Sequence, residues 1–266
     1  MKIKRFFRLY TRYIVQYFKT VFEYPVDTVI RVFAMVVTQF SGYVAIWAMF
    51  QNITDIAGWS FWEVVLIYAT MSMVIGLGEL FFEGVWSIAG LAGTGKLDIY
   101  LTRPFPVLPQ ILFSSVGIHG FGNFITALIF FIQAVIHLSV SLSFVQLILF
   151  FILIVTALPI HFSLLLLGNS VSLLTRQINS GSFPTLILKL SDFTRYPISI
   201  YPRLLQVVFT FFVPYAFVSY YPATFLLGKG DFPWLALLGP VISAVFLFFS
   251  IRIFFYGLGK YESAGN

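Results

Sequence analysis

Gly95-Lys96-Leu97-Asp98-Ile99-Tyr100-Leu101-Thr102-Arg103-Pro104-Phe105 is a polar island between two long apolar runs. It carries Lys96, Asp98 and Arg103, and Pro104 and Pro106 stop any helix that tries to run on through it. Just upstream, Glu79-Leu80-Phe81-Phe82-Glu83-Gly84-Val85-Trp86 is a short amphipathic piece with two carboxylates at i and i+4. A chain poor in charge has gathered several of its charges here, and the stretch is expected to face a soluble partner.

The flanking sequence sets the solvent. The chain is 59% hydrophobic and 10% charged, with mean hydropathy +0.94. Soluble domains carry about a quarter charged residues, and a core of this length could not hide so much apolar surface from water. Spanning candidates long enough for a hydrocarbon core of about 30 Å fall at 29–50, 61–82, 108–138, 146–174, 204–226 and 234–256. The third and fourth exceed the needed length, so a tilt or break is expected at Gly117, Gly120 and Gly122, or at Pro159. The expectation is an all-α membrane protein: one domain, residues 1–266, with six transmembrane helices.

Basic residues orient it. In a six-span arrangement every Lys and Arg except Lys229 falls on one side. The positive-inside rule makes that side, and both termini, cytoplasmic. Within residues 1–27, Arg5, Arg8, Arg12 and Lys19 share one side of a helix otherwise populated by Phe, Leu and Tyr, the pattern of an amphipathic interfacial helix in contact with lipid. No cleavable signal peptide is evident. Residues 177–203 meet Lys189, Asp192 and Arg195 in close succession, which argues for a cytoplasmic or interfacial segment, since a centred charge costs about 2.5–3.5 kcal/mol on insertion scales. The prolines at 214 and 222 could break the fifth span, or turn it into a re-entrant piece entering from outside.

The chemistry-bearing motifs are few. Gly90 to Lys96 matches the spacing G-x-x-x-x-G-K, but Leu97 stands where a phosphate-binding loop needs Ser or Thr, and no strand precedes it. With no cysteine and with His119, His137 and His161 scattered, no metal site is expected. Glu79 and Glu83 lack a partner histidine or nucleophile in this layout and are expected to form a solvated face. No catalytic residue is identified. His119, among the glycines of the third span, and Asn123 are candidates for a polar notch on a pathway. The basic residues fall at the membrane side and not in a nucleic-acid patch, so no nucleic-acid partner is expected.

Gly95 to Pro104 resembles the G-x-L-D-x-x-L-x-R-P signature of a bacterial family of ABC transporter permeases of the type-2 exporter class. Glu23-Tyr24, the Pro-rich stretches 197–202, 214–217 and 222–228, and Tyr261-Glu262-Ser263-Ala264-Gly265 resemble further motifs of that family, in order. The resemblance implies a half-transporter of the bacterial cytoplasmic (inner) membrane. It would pair with a second copy or a sister permease and with two separate ABC ATPase subunits, which would bind ATP and Mg; this chain would bind no cofactor. By similarity, residues 79–106 are the coupling segment, with Glu79, Phe82, Glu83, Trp86, Gly95, Lys96, Asp98, Leu101, Arg103 and Pro104 meeting the ATPase. Asp98 and Arg103 could instead pair locally. Nearly charge-free spans favour a hydrophobic or amphiphilic cargo. A membrane-embedded transferase and an ion-coupled carrier are the competing classes. The first would cluster polar groups that this layout keeps apart, and the second would bury an ionisable group at mid-span.

Overall fold

The computed structural model describes residues 11, 15, 19, 23–138, 143–175, 182–230 and 232–262. Among these the chain is helical, with one isolated bridge between Ile56 and Trp59. Arg5, Arg8, Arg12 and Arg176, and the ending 263–265, lie outside the described residues; Lys19 is helical and exposed.

Helix α1 (Pro25–Phe50) starts on Pro25, whose missing N–H costs nothing in a first turn. Helix α2 (Phe61–Phe82) is buried along most of its length and forms the centre of the bundle. A 3-10 turn (Glu83–Ser87) and three short helices follow: α3 (Ile88–Gly93), α4 (Asp98–Leu101) and α5 (Val107–Leu112). Helix α6 (Gly120–Leu138) returns antiparallel to α2, and Trp62 stacks on His137 where the two meet again, ring centroids 3.9 Å apart. The expected third span at 108–138 is thus broken over 113–119, next to the expected glycines, and the run across the bundle begins only at Gly120. Helix α7 (Phe144–Thr175) keeps Pro159 inside a continuous helix. A final 3-10 turn (Pro233–Leu238) leads into α11 (Gly239–Gly259), which packs along α7.

Five helices are long and apolar enough to cross a membrane, six if the bent pair Arg203–Phe212 and Tyr215–Leu227 is one span. The contacts assign the sixth end-to-end run to a different segment. Helix α8 (Ser182–Ser191) begins beside the last turns of α7, where Gly168 faces Pro184 so closely that a Cβ would lie 2.8 Å from the Pro184 Cα. The chain then passes through a 3-10 turn (Asp192–Arg195), sets Arg195 over the Tyr68 ring at 5.4 Å, and brings the Tyr196 hydroxyl 3.9 Å from Met49 Sδ. Ser199 finally accepts a 3.0 Å hydrogen bond from Trp59 Nε1, in the loop between α1 and α2. Residues 182–200 therefore run from one end of the bundle to the other.

Over its described residues, 182–203, this departs from the expectation of a cytoplasmic or interfacial segment at 177–203; residues 177–181 lie outside the described residues. The reason is pairing: Asp192 lies 3.9 Å from Lys189 and 3.0 Å from Arg195, and the guanidinium also rests on an aromatic face. Mutual neutralisation reduces the cost that isolated charges would pay in the bundle. Arg195 and Arg203 accordingly leave the one-sided tally of basic residues.

The bent pair enters and leaves by one end. Helix α9 (Arg203–Val207) follows directly on Ser199 and Tyr201. After a break bent by 75°, Tyr215 reaches His161 of α7, Oη to Nδ1 3.4 Å. Helix α10 (Tyr220–Leu227) then climbs back, and Lys229 donates to Gly58 O at 2.7 Å and to Glu63 at 2.7 and 2.8 Å. The hairpin 203–227 is a re-entrant element hung from the end that carries loop 51–60.

Candidate functional site

The opposite end of the bundle, carrying residues 83–119, holds two distinct features. The first is a projecting tip. Helix α3 stops because Gly95 adopts φ +70°, a conformation that favours glycine in the residue closing a helix. Leu97 then turns inward and is completely buried with Val85, Ile88 and Ile111. The buried Gln110 side chain donates to the carbonyls of Phe105 (2.8 Å) and Tyr100 (3.2 Å), tying both sides of α4 back onto α5. What remains outside is Lys96, Ile99, Leu101, Arg103 and Pro104, all exposed. Ile99 and Leu101 are 52% and 43% exposed on a structured surface, and Arg103 lies 5.5 Å from the Tyr100 ring. Asp98 is half-exposed beside them.

The second feature is a polar cleft of about 540 Å³, lined by Tyr24, Asp27, Thr28 and Arg31 of α1 or its entry, Glu83, Trp86 and Ser87, and residues 115–119. Glu83 on its wall and Glu79 behind it turn inward; their side chains are only 24% and 16% exposed. His119 Nε2 sits 4.0 Å from Glu79 Oε1 and 3.8 Å from Glu83 Oε2. The break before α6 makes this possible, since it folds 113–119 back across α2, with Gly117 N donating to Glu79 O at 3.0 Å. His119 is held below its usual pKa by burial and by the nearby Arg31. Glu83 Oε2 is buried and receives no hydrogen bond.

From Glu79 a polar file enters the bundle. Asn123 Nδ2 donates to Glu79 Oε2 at 2.5 Å, and Gln39 Nε2 donates to Asn123 Oδ1 at 3.2 Å. Gln39 Oε1 accepts from the hydroxyls of Tyr68 (2.6 Å) and Ser72 (3.0 Å).

The ten residues grouped as one coupling face therefore divide. Gly95, Lys96, Asp98, Leu101, Arg103 and Pro104 build the tip. Glu83 and Trp86 line the cleft, Glu79 stands behind it, 4.0 Å from His119, and the half-buried Phe82 packs on Phe162, ring centroids 5.0 Å apart. The carboxylates and a histidine, kept apart by the layout drawn from sequence, are brought together, and His119 and Asn123 join them. Gln39 and Gln110 were not singled out from sequence. Their only signal is an amide inside an apolar run. Among the described residues no cluster of three or more His, Cys, Asp and Glu could hold a metal ion.

Residues 34–265 match the family described as ABC-2 family transporter protein, and the chain belongs to that family. It is thus a multi-pass membrane protein of the class that serves ABC transporters as the membrane subunit and pairs with ABC ATPases. No curated protein and no solved structure matches it.

Proposed function

We propose that this chain is the permease subunit of an ATP-driven exporter in a bacterial cytoplasmic membrane. It works as a pair with a second copy or a sister permease, over two ATPase subunits that bind ATP and Mg. The cargo is hydrophobic or amphiphilic. The observation that carries this reading beyond family membership is the tip at 94–104. It exposes two aliphatic side chains on a short helix, flanked by the basic Lys96 and Arg103, with its base anchored by Leu97 and braced by Gln110. A stiff, apolar-tipped projection suits insertion into a groove of a moving partner, because coupling requires an element that cannot absorb the motion itself. In this reading the tip faces the cytoplasm and both termini lie on that side.

The test is capture of the ABC ATPase encoded beside the chain. Wild type should retain it through purification. Ile99→Asp with Leu101→Asp, and separately Asp98→Lys, should lose it or uncouple its hydrolysis, while the variants elute as the wild type does. Equal capture and equal coupling by all forms would sink the assignment of the tip. One observation favours a second reading, an ion-coupled carrier: Glu79, His119 and Asn123 meet at the edge of the bundle. Transport driven by an ion gradient with no ATPase present would support that class instead.

A further inference from the structure

We propose that the outer face of α11, at the end of the bundle that carries the tip, is a site for an anionic phospholipid whose phosphodiester is held by Arg252 and Lys260.

Helix α11 turns Ser243, Ser250, Phe254 and Gly257 toward the bundle and leaves Val241, Val245, Phe248, Phe249, Phe255 and Tyr256 exposed. On a helix long and apolar enough to cross a membrane, such a face meets hydrocarbon. Two aromatic residues set its depth. Trp234 and Tyr256 are 56% and 63% exposed. They stand about 33 Å apart at about 1.5 Å per residue, which matches two aromatic belts across a core of about 30 Å. Arg252, one turn before Tyr256, is therefore an exposed cation just inside a belt, and Lys260, one turn after it, is level with the headgroups.

Arg252, Tyr256 and Lys260 form one stripe at i, i+4 and i+8. Each cation rests on the ring one turn earlier. Arg252 Cζ lies 5.2 Å from the Phe248 centroid, and Lys260 Nζ lies 6.0 Å from that of Tyr256. Among the described residues neither cation is paired with a carboxylate. Basic residues within a membrane pair with a counter-charge or reach for the interface, because an isolated charge in hydrocarbon is costly. From one turn inside the belt an arginine side chain reaches the phosphates.

A second observation points to the same place. A cavity of about 570 Å³ opens at the foot of the stripe, lined by Tyr256, Lys260, Tyr261 and Glu262 and by Leu174 from the last turn of α7. With Arg252 beside it, two positive charges face one negative, and the surplus selects a phosphodiester that carries no amine of its own. Basic pockets between spanning helices recognise headgroups of this kind. The apolar side chains flanking Arg252 offer a track for acyl chains, which a free phosphate lacks.

Because the chain has no native cysteine, a bimane label at Phe255→Cys reports on this face alone. The labelled full chain, in phosphatidylcholine nanodiscs, is titrated with dibrominated phosphatidylglycerol or dibrominated phosphatidylethanolamine, each a quencher on contact. The anionic lipid should reach half-quenching at a mole fraction about fivefold lower, the scale of one surplus basic side chain near an anionic lipid. Arg252→Gln with Lys260→Gln should bring the two lipids to parity while quenching itself persists, and Arg252→Lys should keep part of the preference. The same label at Ile125→Cys, exposed on α6, should show none. Equal quenching by the two lipids in the wild type, or a preference that survives the double substitution, would overturn the proposal. Reversal by inorganic phosphate at matched ionic strength would reassign the site to a free anion, and absence of quenching by any lipid would mean that a second protein covers the face; either outcome refutes the lipid assignment.

Discussion

Helix α1 has only two buried side chains, Gln39 and Ile46, so replacing Gln39 by Leu is a severe test of what holds it to the bundle. The substitution removes three side-chain hydrogen bonds, two accepted from Tyr68 and Ser72 and one donated to Asn123. Interhelical bonds inside membranes average about 0.6 kcal/mol each, which gives roughly 2 kcal/mol. Tyr68 keeps the Gln39 backbone carbonyl as an acceptor, so its hydroxyl is not stranded. Asn123 Oδ1 is left buried without that donor, which adds about 1–3 kcal/mol. The expected loss is about 3–5 kcal/mol, read by steric trapping in bicelles. Pairing with Asn123→Leu in a double-mutant cycle should give a coupling of about 1 kcal/mol. Because the chain has no native cysteine, Ile46→Cys gives a clean second readout. Its maleimide labelling should accelerate in the Gln39→Leu background as α1 lifts away. A loss below about 0.5 kcal/mol with unchanged labelling would refute the reasoning.

Three other outcomes are expected. Gln110→Leu removes both braces of the tip without altering its surface, so limited proteolysis between 99 and 104 should speed up and ATPase coupling should fall; unchanged proteolysis would mean that the brace is dispensable. Trp59→Cys with Ser199→Cys should be bridged by a short bifunctional maleimide, which makes up the reach lost with the indole, whereas a 182–200 segment confined to the end that carries the tip could not cross-link at all. Lys229→Met should cost about 1 kcal/mol, discounted because this lysine is 36% exposed and screened by solvent, and should raise the exchange rate of amides in 220–227 above that of α6.

How much of this was legible in the sequence depended on whether a feature is written in composition or in partners. The span Phe61–Phe82 was placed at its actual limits because an apolar run fills it; the Ser60–Glu63 capping pair at its start is seen only in the structure. The break before α6 was legible in its glycines. Five helices are long and apolar enough to cross; for the sixth, 204–226 was counted as a span and 182–200 was not. Hydropathy rates each segment alone, so it penalised Lys189, Asp192 and Arg195 although Asp192 pairs with both cations, and it credited the apolar 204–226 with a crossing although both its flanks meet the same end of the bundle. The tip was legible in Gly95 and the two prolines. The cleft was not, because its existence depends on residues 113–119 folding back over α2, and no periodicity records that. Glu79 and Glu83 looked like a solvated face at i, i+4; their burial beside His119 and Asn123 shows that they point inward.

Glu63 carries an obligation that its sequence position hides. One of its oxygens accepts from the backbone N–H and the hydroxyl of Ser60, closing the start of α2. Both oxygens also accept from Lys229, at the foot of the re-entrant hairpin. The same carboxylate therefore starts one helix and moors another 166 residues away. No defect produced by changing Glu63 can be ascribed to the cap or to the hairpin alone, and genetic suppressors of such a defect should fall into two unlinked groups, one around Ser60 and one around Lys229.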